Sequence, residues 1–360
     1  MNLIGEHTDY NGGLVVPAAV DQYMYLSAAI NGSNTIRVNA IDLQETVSIS
    51  LSDLKKTGHL WADFLVGILI ALQQRGFHIA GFDCALTSDV PIGAGMSSSS
   101  ALECAFLVGM RELFDLPLSR WQLIEISQYS NHNFLGIMGG ILDQFASLYG
   151  EADKIMMLDC TTRQHTEVVV PASEYCWLLV NTNVQHNHLN SGYNTRVAEC
   201  QAALSEVQKV YPTADSLSDI VEIGQLDSVV FTSDLLRNRA TYVVEENTRV
   251  RHFTEALSSG AFEQCGSLLY ESHSGLSHKY DVSCQELDFL VEILRDSHFV
   301  LGSRMMGGGF GGCTINLIEQ GSVEQIRKLV VPAYEAQFGR SPSFYDVRIG
   351  AGAGPVVVSN

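Results

Sequence analysis

Residues 89–103, DVPIGAGMSSSSALE, constrain the fold more strongly than any other stretch of the chain. They follow a strand-like run, FDCALTSDV, and lead into SALECAFLVGMRELFD, which has helical spacing. Glycine lets a backbone approach a ligand closely, and serines at a helix start offer hydroxyl and amide donors. The pattern therefore predicts a loop between a strand and a helix that could hold an anion. An ordinary turn with a helix N-cap is the alternative for this segment alone.

The loop lacks the Lys-Ser/Thr ending of a Walker A motif, which disfavours a conventional nucleotide loop. Elsewhere TIRVNAI and ETVSISL predict a β-hairpin, WADFLVGILIALQQRG predicts a helix, and Ser119 can cap a helix that begins near Trp121. Strands and helices do not alternate regularly, so the fold class expected is α+β. A chain of 360 residues is long for one core, and we expect two domains, residues 1–175 and 176–360.

The chain carries 40 acidic and 21 basic residues, a formal net charge of −19. Such a surface repels nucleic acid and anionic membranes, so an anionic ligand must be held locally by backbone amides or a few cations. The eight cysteines form no CxxC pair, and no apolar run reaches the length of a membrane helix. We therefore expect a cytoplasmic protein with reduced thiols that binds small molecules rather than nucleic acid or membrane. We also expect it to be a monomer.

Two further segments carry carboxylates in unusual surroundings. In NLIGEHTDYNGG, Glu6, His7 and Asp9 crowd together before two glycines. Carboxylates accept hydrogen bonds from vicinal hydroxyls, as sugar sites require, although a solvated turn is the simpler interpretation of this segment alone. In GGILDQF, Asp143 follows Gly139 and Gly140 in an otherwise apolar stretch. It could be a helix N-cap or a general base in a partly desolvated site.

The segment NTNVQHNHLNSGYNTR contains two histidines, His186 and His188, without a nearby carboxylate or cysteine. We therefore expect surface or structural histidines here and no metal site. Tyr193 offers a ring with a polar tip that could pack on a sugar. In SRMMGGGFGGC, five of residues 307–312 are glycine, so something must approach that backbone closely. A strand follows rather than a helix, and a dinucleotide-binding fold is not supported.

Together these motifs resemble one known family. NLIGEHTDYNGG, PIGAGMSSSSALE, GGILDQF, NTNVQH with SGYNTR, and SRMMGGGFGGCT have the order and spacing seen in the galactokinases, a family of the GHMP small-molecule kinases. The resemblance runs from Asn2 to the region of Phe344. It implies a two-domain GHMP-kinase-like protein with the active site in the cleft between the domains. The activity implied is ATP-dependent phosphorylation of galactose at C1, with Mg²⁺ as cofactor.

The resemblance also assigns roles to residues of this chain. Asp143 would be the catalytic carboxylate, Ser99 and Asn131 would lie at the metal ligand positions, and Trp61 would lie near the adenine. The sugar would be bound by Glu6, His7, Asp9, Gly140 and Tyr193. The ATP phosphates would be held by Gly93, Ala94, Gly95, Met96, Ser97, Ser98 and Ser99, at the positive end of the following helix.

The chain departs from the family pattern at two positions. The family has an arginine two residues before the Asn of NLIGEH, so we expect a segment ending in Gly-Arg to precede Met1 in the complete protein. The family also has a glutamate twelve positions before the catalytic aspartate, where this chain has Asn131. A neutral amide is a weaker ligand for Mg²⁺ than a carboxylate.

Two alternatives stay open because of these departures and the general polarity of the sugar motif. One is a protein that binds galactose and ATP as a sensor without useful turnover. The other is a kinase of a related hexose such as N-acetylgalactosamine.

Overall fold

The structure is a computed structural model that describes residues 1–91, 96–184 and 189–356, with the backbone alone described for 189–191. The chain forms two compact units, each built from segments that are distant in sequence. The first unit comprises Met1–Ala18 and Asp153–Ile349, and the second comprises Ala19–Ala152 and Gly350–Asn360. Neither unit is one continuous stretch of the chain. The expected division into domains of residues 1–175 and 176–360 stays a prediction.

The described residues contain both strands and helices, which confirms the α+β class. In chain order the strands are β1 (Leu14–Val15), β2 (Met24–Ile30), β3 (Thr35–Ala40), β4 (Glu45–Ser50), β5 (Phe82–Ser88), β6 (Lys154–Asp159), β7 (His165–Val169), β8 (Tyr175–Asn181), β9 (Val300–Met305), β10 (Cys313–Glu319) and β11 (Ser343–Val347). The α-helices are α1 (Leu60–Gln74), α2 (Ser98–Leu113), α3 (Arg120–Ser130), α4 (Leu142–Tyr149), α5 (Leu189–Val207), α6 (Asp234–Ser258), α7 (Phe262–Ser274), α8 (Gln285–Arg295) and α9 (Val323–Phe338).

The second unit contains a four-stranded mixed sheet of order β2-β5-β3-β4. β3 and β4 form the expected antiparallel hairpin, while β3 runs parallel to β5. Helix α2 contacts β2 and also α4, and α1 contacts α3. Ser119 is the N-cap of α3 and forms a capping box with Gln122, as expected from the sequence. Helix α2 thus packs against both α3 and α4.

The first unit contains two antiparallel sheets, one of order β1-β6-β7 and one of order β11-β8-β10-β9. β10 lies between β8 and β9, with Cys313 opposite Asn181 and Thr314 opposite Met305. Helices α7 and α8 pack against β9. The glycine string therefore joins two neighbouring strands of one sheet, β9 and β10, and its position is set by that pairing.

Helix α6 is longer than the sequence interpretation indicated. The segment TRVRHFTEALSSG suggested its second half, whereas the helix begins at Asp234 after an N-cap, Ser233, whose side chain accepts from the amide of Leu236. The first half is polar on average, but its apolar residues recur at helical spacing and are buried, as at Ala240 and Val244. Burial of one face stabilises the whole helix, which local hydrophobicity does not reveal.

All eight cysteines lie within the described residues, and none of them forms a disulfide. Five are buried and three are half-buried. Across residues 1–91, 96–184 and 189–356, every helix is either too short or too polar to span a membrane.

Candidate active site

The start of α2 lies against the start of α4. Ser97 occupies the N-cap position of α2 with a left-handed backbone, φ +52°. Its hydroxyl does not cap the helix and instead donates to Oδ2 of Asp143 at 2.5 Å. Asp143 is half-buried in the first turn of α4, where Ile141, not Asp143, is the N-cap. The structure thus brings together two residues assigned to phosphate binding and to catalysis, 46 positions apart in sequence.

The first turn of α2 has the properties of an anion site. Ser98 and Ser99 are half-buried there, and Met96 is buried just before them. With no side chain capping this 16-residue helix at its N-cap residue, backbone amides at the positive end can donate to a ligand. Gly93, Ala94 and Gly95 lie outside the described residues. The role of the complete loop in phosphate binding stays a prediction.

A buried carboxylate lies one turn further along α2. Glu103 is fully buried, and its Oε2 accepts from Ser127 Oγ at 2.9 Å, Asn131 Nδ2 at 3.2 Å and Gln144 Nε2 at 3.3 Å. Burial raises the pKa of the Glu103 carboxyl to about 7, although these hydrogen bonds lower it. Glu103 therefore connects α2 to α3, to the π-helical turn Asn131–Leu135 and to α4.

The two residues at the metal ligand positions lie on connected elements. Ser99 precedes Glu103 by four residues on α2, so both share one helix face. Asn131 contacts Glu103, and its own Oδ1 is buried without a hydrogen-bond partner among the described residues. An unpaired buried oxygen is a suitable donor for a hard cation such as Mg²⁺. The donor chemistry therefore fits the metal, although the ligand assignment stays a prediction.

Gly140 and Trp61 are the other residues of the second unit to which the sequence assigns a role. The hydrogen bonds among the described residues do not join either of them to Asp143 or Glu103. Gly140 is half-buried, next to Gly139, whose carbonyl accepts from His132 Nε2 at 3.0 Å. Trp61 is half-buried and donates its indole N–H to Glu45 Oε2 at 2.6 Å. The proposed closeness of Trp61 to adenine stays a prediction.

In the first unit, Glu6 lies in a buried cluster of hydrogen bonds. Its Oε1 accepts from Gly307 N at 2.8 Å and pairs with Arg304 Nη2 at 3.2 Å, while Oε2 accepts from Asn2 at 2.9 Å. Arg304 is fully buried and also donates to the carbonyls of Asn2, Leu3 and Met305. Burial raises the pKa of Glu6, and Arg304 opposes that shift. Glu6 thus ties the N-terminal motif to the glycine string.

His7 has a defined tautomer. Its Nε2 lies 3.2 Å from the carbonyl oxygen of Gly308, which can only accept, so Nε2 carries the proton. Burial lowers the pKa of His7 to about 3, so Nδ1 is unprotonated and accepts from Tyr10 Oη at 2.8 Å. The Tyr10 hydroxyl must then accept from Tyr280 Oη, 2.8 Å away. His7 is neutral, and both its nitrogens are engaged by the protein.

Asp9 and Tyr193 are the more exposed members of the predicted sugar set. Asp9 is half-buried in the 3₁₀ turn Asp9–Asn11. Tyr193, on α5, is also half-buried, and its ring centroid lies 5.5 Å from that of His7 and 5.2 Å from that of Tyr10. The structure therefore brings Tyr193 to the N-terminal motif across more than 180 positions of sequence.

The glycine string is approached closely by the protein itself. Gly309 has φ +78°, and a Cβ there would collide with the carbonyl oxygen of Val282. Gly307 has φ +81° and donates its amide to Glu6. The close approach expected for this backbone is therefore confirmed, and the groups that approach it belong to the protein.

Sequence reasoning assigned no role to several residues that organise these clusters. Arg304 lies within the quoted segment SRMM, and a lone arginine in an apolar strand was the available signal. Glu103 is a lone carboxylate on the apolar helix LECAFLVG, which is a similar signal. Nothing in the local pattern distinguishes Tyr280, which contacts Tyr10 from 270 positions away.

No group of three or more His, Cys, Asp or Glu side chains suited to a metal ion occurs in the part of the chain that the structure describes. His186 and His188 lie outside that part.

Comparison with protein families gives three matches. Residues 63–151 match the GHMP kinases N terminal domain, and residues 253–330 match the GHMP kinases C terminal domain. Residues 1–30 match the galactokinase galactose-binding signature, which includes Glu6, His7 and Asp9.

Individual relatives match over nearly the whole chain. Galactokinase of Thermosipho africanus is 39% identical over 345 residues, covering 96% of this chain and 94% of that protein, and galactokinase of Thermotoga maritima is 36% identical over 348 residues, covering 96% and 95%. The crystal structure of Lactococcus lactis galactokinase complexed with galactose is 34% identical with a TM-score of 0.93, covering 98% of this chain and 92% of that chain. Methanococcus jannaschii mevalonate kinase, at 16% identity and a TM-score of 0.65 over 97% and 95%, shares the fold. The chain belongs to the galactokinase family.

Proposed function

We propose that this chain is a kinase that transfers the γ-phosphoryl group of ATP to the C1 hydroxyl of galactose. The observation that carries the proposal is the hydrogen bond between Ser97, at the start of α2, and the Asp143 carboxylate. A helix start suited to phosphate and a carboxylate suited to proton abstraction lie side by side. Membership of the galactokinase family supports both the reaction and the sugar.

The chemistry follows from these two groups. Asp143 takes the proton of the C1 hydroxyl, which is more acidic than the other sugar hydroxyls because the ring oxygen withdraws charge. The C1 oxygen forms a bond to the γ-phosphorus as the bond to the β,γ-bridging oxygen breaks, and ADP leaves. The backbone amides of the α2 start stabilise negative charge on the phosphates, and alignment supplies much of the rate.

The same region supports the Mg²⁺ assignment. Ser99 and Asn131 would hold the ion, because Ser99 shares a helix face with Glu103 and Asn131 presents an unpaired buried oxygen beside it. When bound, Mg²⁺ would neutralise charge on the ATP phosphates.

For the sugar, we assign Glu6, His7, Asp9, Gly140 and Tyr193. Glu6 keeps lone pairs beyond those used by Gly307, Arg304 and Asn2, so its carboxylate can still accept from a hydroxyl. Half-buried Asp9 adds a second carboxylate, and the Tyr193 ring offers a face for the sugar.

The test is ADP release measured against ATP, Mg²⁺ and a panel of sugars. We expect turnover with galactose that requires all three components, and greatly reduced turnover in Asp143→Asn. The exposed Asp53→Asn variant is the matched control and should behave as the parent. Preference for N-acetylgalactosamine over galactose would reassign the substrate, and full activity in Asp143→Asn would contradict the role of Asp143.

One observation favours a second function, a galactose and ATP sensor. Asn131 provides a neutral amide at a position where the family pattern has a carboxylate, which weakens metal-assisted phosphoryl transfer more than it weakens binding. Calorimetry that detects both ligands in a protein without measurable ADP release would support the sensor.

We also infer a cytoplasmic location for the protein. This inference is supported by eight cysteines that form no disulfide within the described residues and by the expected reaction, which uses ATP.

A further inference from the structure

Glu103 is a buried carboxylate without a cationic partner. Within the residues that the structure describes, no arginine, lysine or histidine forms an ion pair with it. Its three hydrogen-bond donors, from Ser127, Asn131 and Gln144, are neutral, and all of them reach Oε2. Keeping a buried carboxylate ionised is costly unless a positive charge compensates it, so a bound cation would stabilise the charged form of Glu103.

Several buried oxygens at and around Glu103 also lack a hydrogen-bond partner among the described residues. Oε1 of Glu103, Oδ1 of Asn131 and Oε1 of Gln144 have no hydrogen-bond partner among the described residues. The three side chains are at least nine-tenths buried. Buried polar atoms in folded proteins are nearly always paired, so three unpaired oxygens in one cluster indicate a missing partner.

The orientation of the two amides follows from the carboxylate. Because Glu103 Oε2 can only accept when ionised, it draws the N–H₂ groups of Asn131 and Gln144 toward itself. Each amide oxygen is thereby left for another partner. The result is one anionic and two neutral oxygen donors, which is a donor set for a hard divalent cation. A water molecule could satisfy the oxygens, but it would leave the carboxylate charge uncompensated.

We propose that Glu103 supplies the anionic oxygen of the divalent-cation site at Asn131, with Gln144 as a further oxygen donor. The inference builds on the proposed function, in which Asn131 lies at a Mg²⁺ ligand position. Glu103 then provides the negative charge that the Asn131 amide lacks. It lies on α2, one turn after Ser99.

The test uses Mn²⁺ alone as an EPR-visible probe, titrated into the full chain without nucleotide or sugar. Loss of the free Mn²⁺ signal gives the Kd. We expect Glu103→Gln, which keeps an oxygen acceptor but removes the charge, to weaken binding about tenfold or more. Glu112→Gln is the matched control, because Glu112 lies on the same helix but is exposed, and it should leave the Kd unchanged.

The Asn131→Asp variant tests the same idea with the opposite sign. Adding a carboxylate at residue 131 should tighten Mn²⁺ binding and should restore it in the Glu103→Gln background. An unchanged Kd in a folded Glu103→Gln protein, or no Mn²⁺ binding by the parent protein, would overturn the proposal. If Glu103→Gln fails to fold, unchanged or weaker binding by Asn131→Asp would overturn it instead.

The readout separates this inference from the proposed function. If Mn²⁺ binding depends on Glu103 as expected and ADP release with galactose is absent, the cation site stands and the kinase assignment fails. If galactose is phosphorylated but the Kd for Mn²⁺ is the same in the parent and in Glu103→Gln, the kinase assignment stands and the cation site fails.

Discussion

The N-terminal motif of the first unit and the start of α2 in the second are both rich in buried polar groups, but they differ in how completely those groups are paired. Glu6 and His7 have protein partners on every side-chain oxygen or nitrogen. Around Glu103, three buried oxygens lack partners among the described residues. The first region is preorganised by its own hydrogen bonds and keeps only spare lone pairs on Glu6 for a ligand, whereas in the second whole oxygens are left without a partner.

The largest expected effect concerns the second region. Replacing Asp143 by Asn removes the general base while keeping the shape of the side chain, so kcat should fall about 10²- to 10⁴-fold. Galactose affinity, measured by calorimetry, should change little because the sugar contacts assigned to other residues remain. Weaker galactose binding with an unchanged kcat would show that Asp143 only binds the sugar.

The next effect tests how tightly the first region is built. Arg304→Met removes the cation from the buried pair and leaves Glu6 without its charged partner. The free energy of unfolding should fall by about 3–5 kcal/mol, measured by denaturant unfolding.

Adding Glu6→Gln to the same protein should recover part of that loss, because the uncompensated charge disappears. No recovery would mean that the Arg304 contacts to Asn2, Leu3 and Met305 carbonyls matter more than the ion pair.

A third prediction concerns pH and the neutral state of His7. Its pKa is about 3 in the folded protein and about 6.5 unfolded, so the unfolded chain binds the proton more readily. The contribution of neutral His7 to the free energy of unfolding is complete above pH 6.5. It is lost as pH falls toward 3, with a slope of at most about 1.4 kcal/mol per pH unit.

The measurement compares unfolding free energies between pH 7 and pH 4 for the parent and His7→Asn. Asn is chosen because it tolerates the positive φ of +61° at this position. The variant should show a shallower pH dependence by about one proton, whereas His252→Asn, at an exposed position, should match the parent. Equal slopes in all three proteins would contradict a buried neutral His7.

The smallest effect concerns the contact that joins α2 to α4. Ser97→Gly removes the hydroxyl that donates to Asp143 and keeps the left-handed backbone accessible. We expect roughly a tenfold loss of kcat with little change in the KM for galactose. Ser52→Gly, at an exposed position, should leave kcat unchanged. Unchanged kcat in Ser97→Gly would show that Asp143 is positioned without Ser97.

Much of the fold was readable from local patterns. The hairpin of β3 and β4, the helix capped by Ser119 and the strand after the glycine string were predicted and confirmed. The extent of α6 was not, because its first half is polar and only the buried face stabilises it.

The sequence alone determined the family, the presence of Asp143 and the serine-rich helix start, because these depend on residue types in a fixed order. Only the tertiary structure decided that Ser97 donates to Asp143, that Arg304 pairs with Glu6 and that three oxygens around Glu103 are left unpaired. The physical reason is that hydrogen bonding, burial and pKa depend on neighbours brought from distant parts of the chain. Local sequence specifies the groups, and folding specifies which of them remain available for a ligand.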